Sequence, residues 1–126
     1  MGMGKHIVLK CECGFQTDSA QVGSLLAHEG SFGAFTLLDA TYDPGNRRLV
    51  THSITLPREL EDLLAAGATS DQLGEVDRWF DAQRDAIQVE HGPILRVPED
   101  TEPTTIPCPE CGERDLVVKA AGDWVA

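Results

Sequence analysis

The apolar positions of this chain follow two periods. Near the start, Lys5-His6-Ile7-Val8-Leu9-Lys10 sets an aliphatic, β-branched run between polar ends and predicts a short strand. Two further runs, Phe35 to Tyr42 and Arg47 to Ile54, flank Asp43-Pro44-Gly45-Asn46. Asp at the entry, Pro next, then Gly and Asn to accept positive φ make that tetrapeptide a turn, so a hairpin is predicted. Its strands either extend a sheet built by the chain ends or form one of their own. Beyond Pro57 the period lengthens to that of a helix. Pro57 suits a first helical turn, Leu60, Leu63 and Leu64 form a stripe, and Gly67 suits the C-terminal cap. A second helix is predicted from Thr69 or Ser70 to about Glu90, ended by Gly92-Pro93. Leu73, Val76, Phe80 and Ile87, with Trp79 and Ala86 beside them, take one side, and a row of aspartates takes the other.

The remaining segments are shorter. Phe15 to Thr17 reads as a brief strand. Asp18-Ser19 caps a helical turn through Ala20-Gln21-Val22 to Leu25-Leu26-Ala27, interrupted by Gly23, and Gly30 and Gly33 mark a loop. Ile94 to Val97 reads as a brief strand. Pro98 to Thr105 reads as an acidic, proline-bearing linker, extended and exposed. Asp115 to Lys119 is a strand expected to pair with residues 5–10.

The chemistry of the chain is concentrated at its two ends. Cys11-Glu12-Cys13-Gly14 and Cys108-Pro109-Glu110-Cys111-Gly112 use all four cysteines. Zinc favours four ligands in a tetrahedron and takes thiolate readily, so two close pairs brought together make a complete structural site. Gly14 and Gly112 suit turns that need positive φ. These residues resemble the knuckles of the zinc-ribbon and rubredoxin-like superfamily, which commonly read C-P-x-C-G. The second knuckle matches at every position; the first departs from it, with one residue between its cysteines instead of two. The resemblance covers roughly the first twenty and last twenty-five residues. It implies a split zinc ribbon formed by the N- and C-terminal segments; with the β-hairpin and two helices read above as its insert, the expected fold class is α+β. In that reading residues 1–126 are a single domain, 5–20 and 103–122 are the ribbon halves, and 21–98 are the insert. One structural Zn2+ would be held by Cys11, Cys13, Cys108 and Cys111. Iron on the same four sulfurs, two disulfides, or a redox-active Cys108–Cys111 pair are the competing readings. Closing a loop of about a hundred residues costs about 4–5 kcal/mol. Structural zinc contributes about 10–16 kcal/mol near neutral pH, so a long insert is no obstacle.

Charge narrows the partners. Ten Lys and Arg face twenty-one Asp and Glu, a net charge of −11. That balance argues against a protein whose main task is to wrap phosphates. The rival reading, a nucleic-acid-associated ribbon, would have to gather Lys5, Lys10, Arg47, Arg48, Arg114 and Lys119 into one patch. No apolar run approaches the ~20 residues that span a bilayer, and the first residues lack a signal-peptide core. The expected setting is the cytoplasm, without membrane attachment and with a protein partner.

Catalytic signatures are lacking. No nucleophile elbow, P-loop or dinucleotide fingerprint is present, and His6, His28, His52 and His91 each stand alone in sequence. His28, His52 and His91 are the three that could line a cleft. A closed four-cysteine zinc leaves no open coordination position, so the expectation is a binding module and not an enzyme.

Overall fold

Six strands in one antiparallel sheet and two helices make up the computed structural model, which describes residues 2–25, 35–67 and 69–125. The strands are β1 (Gly2–Lys10), β2 (Ala20–Leu25), β3 (Thr36–Asp43), β4 (Arg48–Thr55), β5 (Thr101–Pro107) and β6 (Asp115–Val125). The helices α1 (Arg58–Ala65) and α2 (Ser70–His91) lie between β4 and β5 in sequence. The order across the sheet is β4-β3-β2-β1-β6-β5. Chain ends therefore meet in the middle: β1 pairs with β6, Leu9 opposite Val118 and Lys10 opposite Val117. The predicted hairpin forms as β3 and β4, in unbroken register from Thr36↔Thr55 to Asp43↔Arg48, and joins this same sheet.

Alternation along β3 divides the interior in two. Ala40 and Tyr42 face a cluster with Ile7, Leu9, Val22, Leu95, Leu116 and Val118. Leu37, an odd number of residues away and so on the opposite face, packs with Ile54, Leu56, Val76 and Phe80. Phe80 meets Phe35 edge to face, ring centroids 5.9 Å apart. Arg84 Nε lies 3.0 Å from Asp39 Oδ2 and ties α2 to β3. Thr69 caps α2 in a capping box with Gln72.

Trp124 decides how β1, β2 and β6 sit together. Gly23 pairs with Gly4, and Gly4 pairs with Trp124, so a tryptophan and two glycines form one row across three strands. The Trp124 indole N–H donates to the Val22 carbonyl at 2.9 Å. A Cβ on Gly4 would fall 1.9 Å from that carbonyl oxygen and 2.7 Å from the indole nitrogen.

Five expectations are corrected. Residues 20–25 are strand and not helix, because Ala20 and Val22 bury at period two against the first cluster while pairing with β1; Leu26, Ala27, Gly30 and Gly33 lie outside the described residues. The proposed linker is extended but becomes β5, paired with β6 from Thr101↔Lys119. Ile94 to Val97 forms no strand; Leu95 alone is drawn in, its N–H donating to the Ala40 carbonyl at 2.9 Å. Leu73 is 47% exposed, so the buried stripe of α2 is Val76 and Phe80, with Trp79 and Ile87 half-buried. At the hairpin turn, Asp43 accepts from the Gly45 and Asn46 N–H groups, but the residue with positive φ is Arg47, at 53°.

Candidate metal centre

The two knuckles are tight turns that differ by one residue. In the first, β1 ends at Lys10, the Cys11 N–H donates to the Phe15 carbonyl, and the Gly14 N–H returns to the Cys11 carbonyl at 3.0 Å. In the second, the Cys108 N–H donates to the Arg114 carbonyl and the Gly112 N–H returns to the Cys108 carbonyl at 2.9 Å. Each glycine follows the second cysteine and bonds to the carbonyl of the first, with φ of 107° at Gly14 and 65° at Gly112. Dropping one residue between the cysteines shortens the hydrogen-bonded turn from five residues (Cys108 to Gly112) to four (Cys11 to Gly14) and leaves its plan intact. Thr17, buried, anchors the first turn by accepting from the Leu9 N–H at 3.0 Å. The expected Phe15–Thr17 strand reduces to a single bridge between Lys10 and Gln16.

Pairing of β1 with β6 brings these turns face to face. The four Sγ atoms of Cys11, Cys13, Cys108 and Cys111 all lie within 4.8 Å of one another. Cys11 and Cys111 are 3.7 Å apart, Cys13 and Cys108 3.6 Å. A metal with bonds of about 2.3 Å to four tetrahedral sulfurs sets them about 3.8 Å apart, so the donor set fits a thiolate-bound ion. All four are free cysteines, their sulfurs well beyond the roughly 2.05 Å of a disulfide bond. The cluster is half embedded: Cys11 and Cys108 belong to the first buried cluster, whereas Cys13 is exposed. Glu12, Cys13, Cys111, Glu113 and Arg114 line a shallow opening on its outer side, an entry path for an ion.

Crowding polarises the thiols. Burial raises the Cys108 pKa, but the Cys111 and Glu110 backbone N–H groups and hydrogen bonds from Cys13 and Cys11 bring it down to about 7. Cys13 moves the other way. The Phe15 N–H lowers it, yet hydrogen bonding with Cys11, burial, and bonding with Cys108 and Cys111 push it up to about 12. Four sulfurs this close cannot all carry charge unless a cation sits among them.

Two ion pairs that sequence patterns did not signal brace the site. Arg114 bonds Glu12 and so links the knuckles, and Arg47 at the hairpin turn reaches Glu110 at 3.0 Å. Both join residues far apart in sequence.

The histidines are distributed differently. His28 lies outside the described residues, and His6 sits on β1 opposite Gly122. His52 and His91 come together, ring centroids 4.6 Å apart, with Thr41 Oγ1 2.8 Å from His52 Nε2. Burial lowers the His52 pKa, and His91 adds to this against the opposing pull of Asp39 and Glu90. Among the described residues, the four cysteines are the group whose donor atoms converge as metal ligands would. No helix among them is long and apolar enough to cross a membrane. Comparison of the chain with family models, curated proteins and solved structures finds no match. The likeness to zinc-ribbon knuckles therefore rests on the two turns themselves.

Proposed function

We propose that the protein binds one structural zinc ion through Cys11, Cys13, Cys108 and Cys111 as a split zinc ribbon, and serves as a protein-interaction module. The convergence of four free thiols from opposite ends of the sequence carries the metal reading. Zinc is favoured over iron by zinc's common use of four cysteines in structural turns. Native mass spectrometry with elemental analysis on protein purified without added metal is the test. One zinc per chain, lost together with structure on chelation, is the expected result. A red, iron-bearing sample or a folded metal-free one overturns it.

The interaction reading is supported by the contrast between the two sheet edges. The edge strand β5 carries Pro103 and Pro107 and a register irregularity, all of which hinder pairing. At the other edge, β4 runs eight residues in regular register with no proline. Such an edge offers a template for an added strand. A photoreactive residue at Thr51 or Ser53 should crosslink in cells to a partner of discrete mass, and one at Thr101 should not. Equal labelling at both edges counts against β4 as the docking strand. The nucleic-acid alternative is weakened by the carboxylate partners of Lys5, Arg47 and Arg114, which are Asp123, Glu110 and Glu12.

A further inference from the structure

A cleft of about 480 Å3 opens where the hairpin turn, the end of α2 and the second knuckle converge. Pro44, Pro93, Pro107 and Pro109, four of the chain's seven prolines, line it together with Tyr42 and Ile106. That volume lies within the roughly 300–1,000 Å3 of small-molecule sites. Proline has a fixed φ and no N–H, so the prolines supply rigid apolar wall and no donor of their own. The cleft is thus preformed, and little ordering is needed on binding.

One polar group in this wall has no protein partner. Tyr42 is 7% exposed, and its hydroxyl is the buried side-chain polar atom without a hydrogen bond among the described residues. Buried hydroxyls are almost always satisfied, by protein or by something bound. Charge restricts what that can be. Cys108 lines the same cleft, and a zinc ion held by four thiolates keeps a negative site there, which disfavours an anion. No Asp, Glu, Lys or Arg lines the cleft, so a charged ligand of either sign would lose its hydration against an apolar wall without a direct ion-pair partner in it.

We propose that the cleft binds a small, neutral, flat apolar molecule with a single hydrogen-bond acceptor, such as an aryl amide or aryl ketone. Its oxygen accepts from Tyr42 Oη and its ring lies against the prolines. Ligand binding of this kind goes beyond the interaction reading, and it joins three segments distant in sequence.

Titration of the zinc-loaded full chain with N-methylbenzamide, followed by amide NMR, tests this directly. Saturable shifts are expected at Gly92, Ile106 and Cys108, with sodium benzoate at least about tenfold weaker because it brings a charge. Tyr42→Phe should weaken the amide about tenfold and leave toluene unchanged, since only the hydrogen bond is removed. Because Tyr42 belongs to the buried cluster, Ile106→Ala provides a second variant; it should weaken amide and toluene alike by about fivefold through lost apolar contact. Three results overturn the proposal: no saturation by about 10 mM, beyond the millimolar range of a fragment; shifts centred on Thr51–Thr55 and Trp79; or equal affinities in both variants. Elemental analysis of the same sample separates a failure of metal loading from a failure of ligand binding.

Discussion

Cys11 and Cys108 sit among Ile7, Leu9, Leu116 and Val118, from opposite ends of the sequence, in a cluster that Ala40, Tyr42 and Leu95 complete, whereas Ile54, Leu56, Val76 and Phe80 come from one continuous stretch. The first cluster must hold together segments about a hundred residues apart, at a closure cost of about 4–5 kcal/mol. The second closes a loop several times shorter, and each doubling of loop length adds only about 0.6 kcal/mol. Apolar burial and a capped helix suffice for it. A metal ion held by the four cysteines would act as a clamp where sequence separation is greatest and where the strands it joins, β1 and β6, are both interior to the sheet.

The sharpest way to break this comparison is to remove the clamp. A structural zinc contributes about 10–16 kcal/mol, as much as the roughly 5–15 kcal/mol of an entire domain. Cys108→Ser should therefore lose both zinc and the β1–β6 end of the sheet, seen by elemental analysis and circular dichroism. Melting within a few degrees of the parent would sink the clamp.

Phe80→Ala attacks the other cluster. Removing a buried aromatic ring should cost about 3–5 kcal/mol in a denaturant melt while one zinc per chain is retained. Loss of zinc as well would mean that the clusters are one unit. Gly23→Ala probes the seam between β1 and β2: at φ 140° its Cβ would meet the Met3 carbonyl oxygen at 2.4 Å. A penalty of about 2–4 kcal/mol is expected from strain and overpacking, with Trp124 fluorescence shifting to the red as the indole loses its seat. Arg84→Ala removes the half-exposed pair with Asp39 and should cost no more than about 1 kcal/mol.

The smallest effect is the pH response of His52. Its pKa is lowered below the ordinary 6.5, by burial first and by His91 second. The unfolded chain then binds the proton more readily than the folded one. Stability from this group is complete above 6.5 and declines as pH falls from there toward the folded value. NMR titration of the His52 ring should give a midpoint below 6.5, and His52→Asn should flatten the matching slope in thermal melts. A midpoint at or above 6.5 would contradict the direction set by partial burial and by His91.

Legibility followed the range of the forces involved. The knuckle glycines, the hairpin around Asp43-Pro44 and the start of α2 at Thr69 or Ser70 depend on neighbours within a few residues, so local patterns revealed them. Segment 20–25 was misread because Ala20, Val22 and Leu25 fit a helical turn as well as a short strand, and only pairing with β1 chooses between them. The acidic 98–105 segment looked like a linker because Pro103 excludes an interior strand, yet an edge position tolerates it. Leu73 fitted the apolar stripe of α2, but the packing against β3 and Phe35 leaves it largely exposed while burying Val76 and Phe80.

By itself, the sequence determined which groups are available: four thiols in two close pairs, glycines where the turns need them, two helices and a hairpin. Their local geometry follows from backbone sterics and side-chain capping, which act over a few residues. Only the tertiary structure decided that the pairs meet with sulfurs 3.6 and 3.7 Å apart, and that Cys11 and Cys108 are buried while Cys13 is exposed. It also brought His52 against His91 and set Trp124 over Gly4 and Gly23. These contacts depend on strand order and register, which arise from the summed burial of the whole sheet and are encoded in no single stretch.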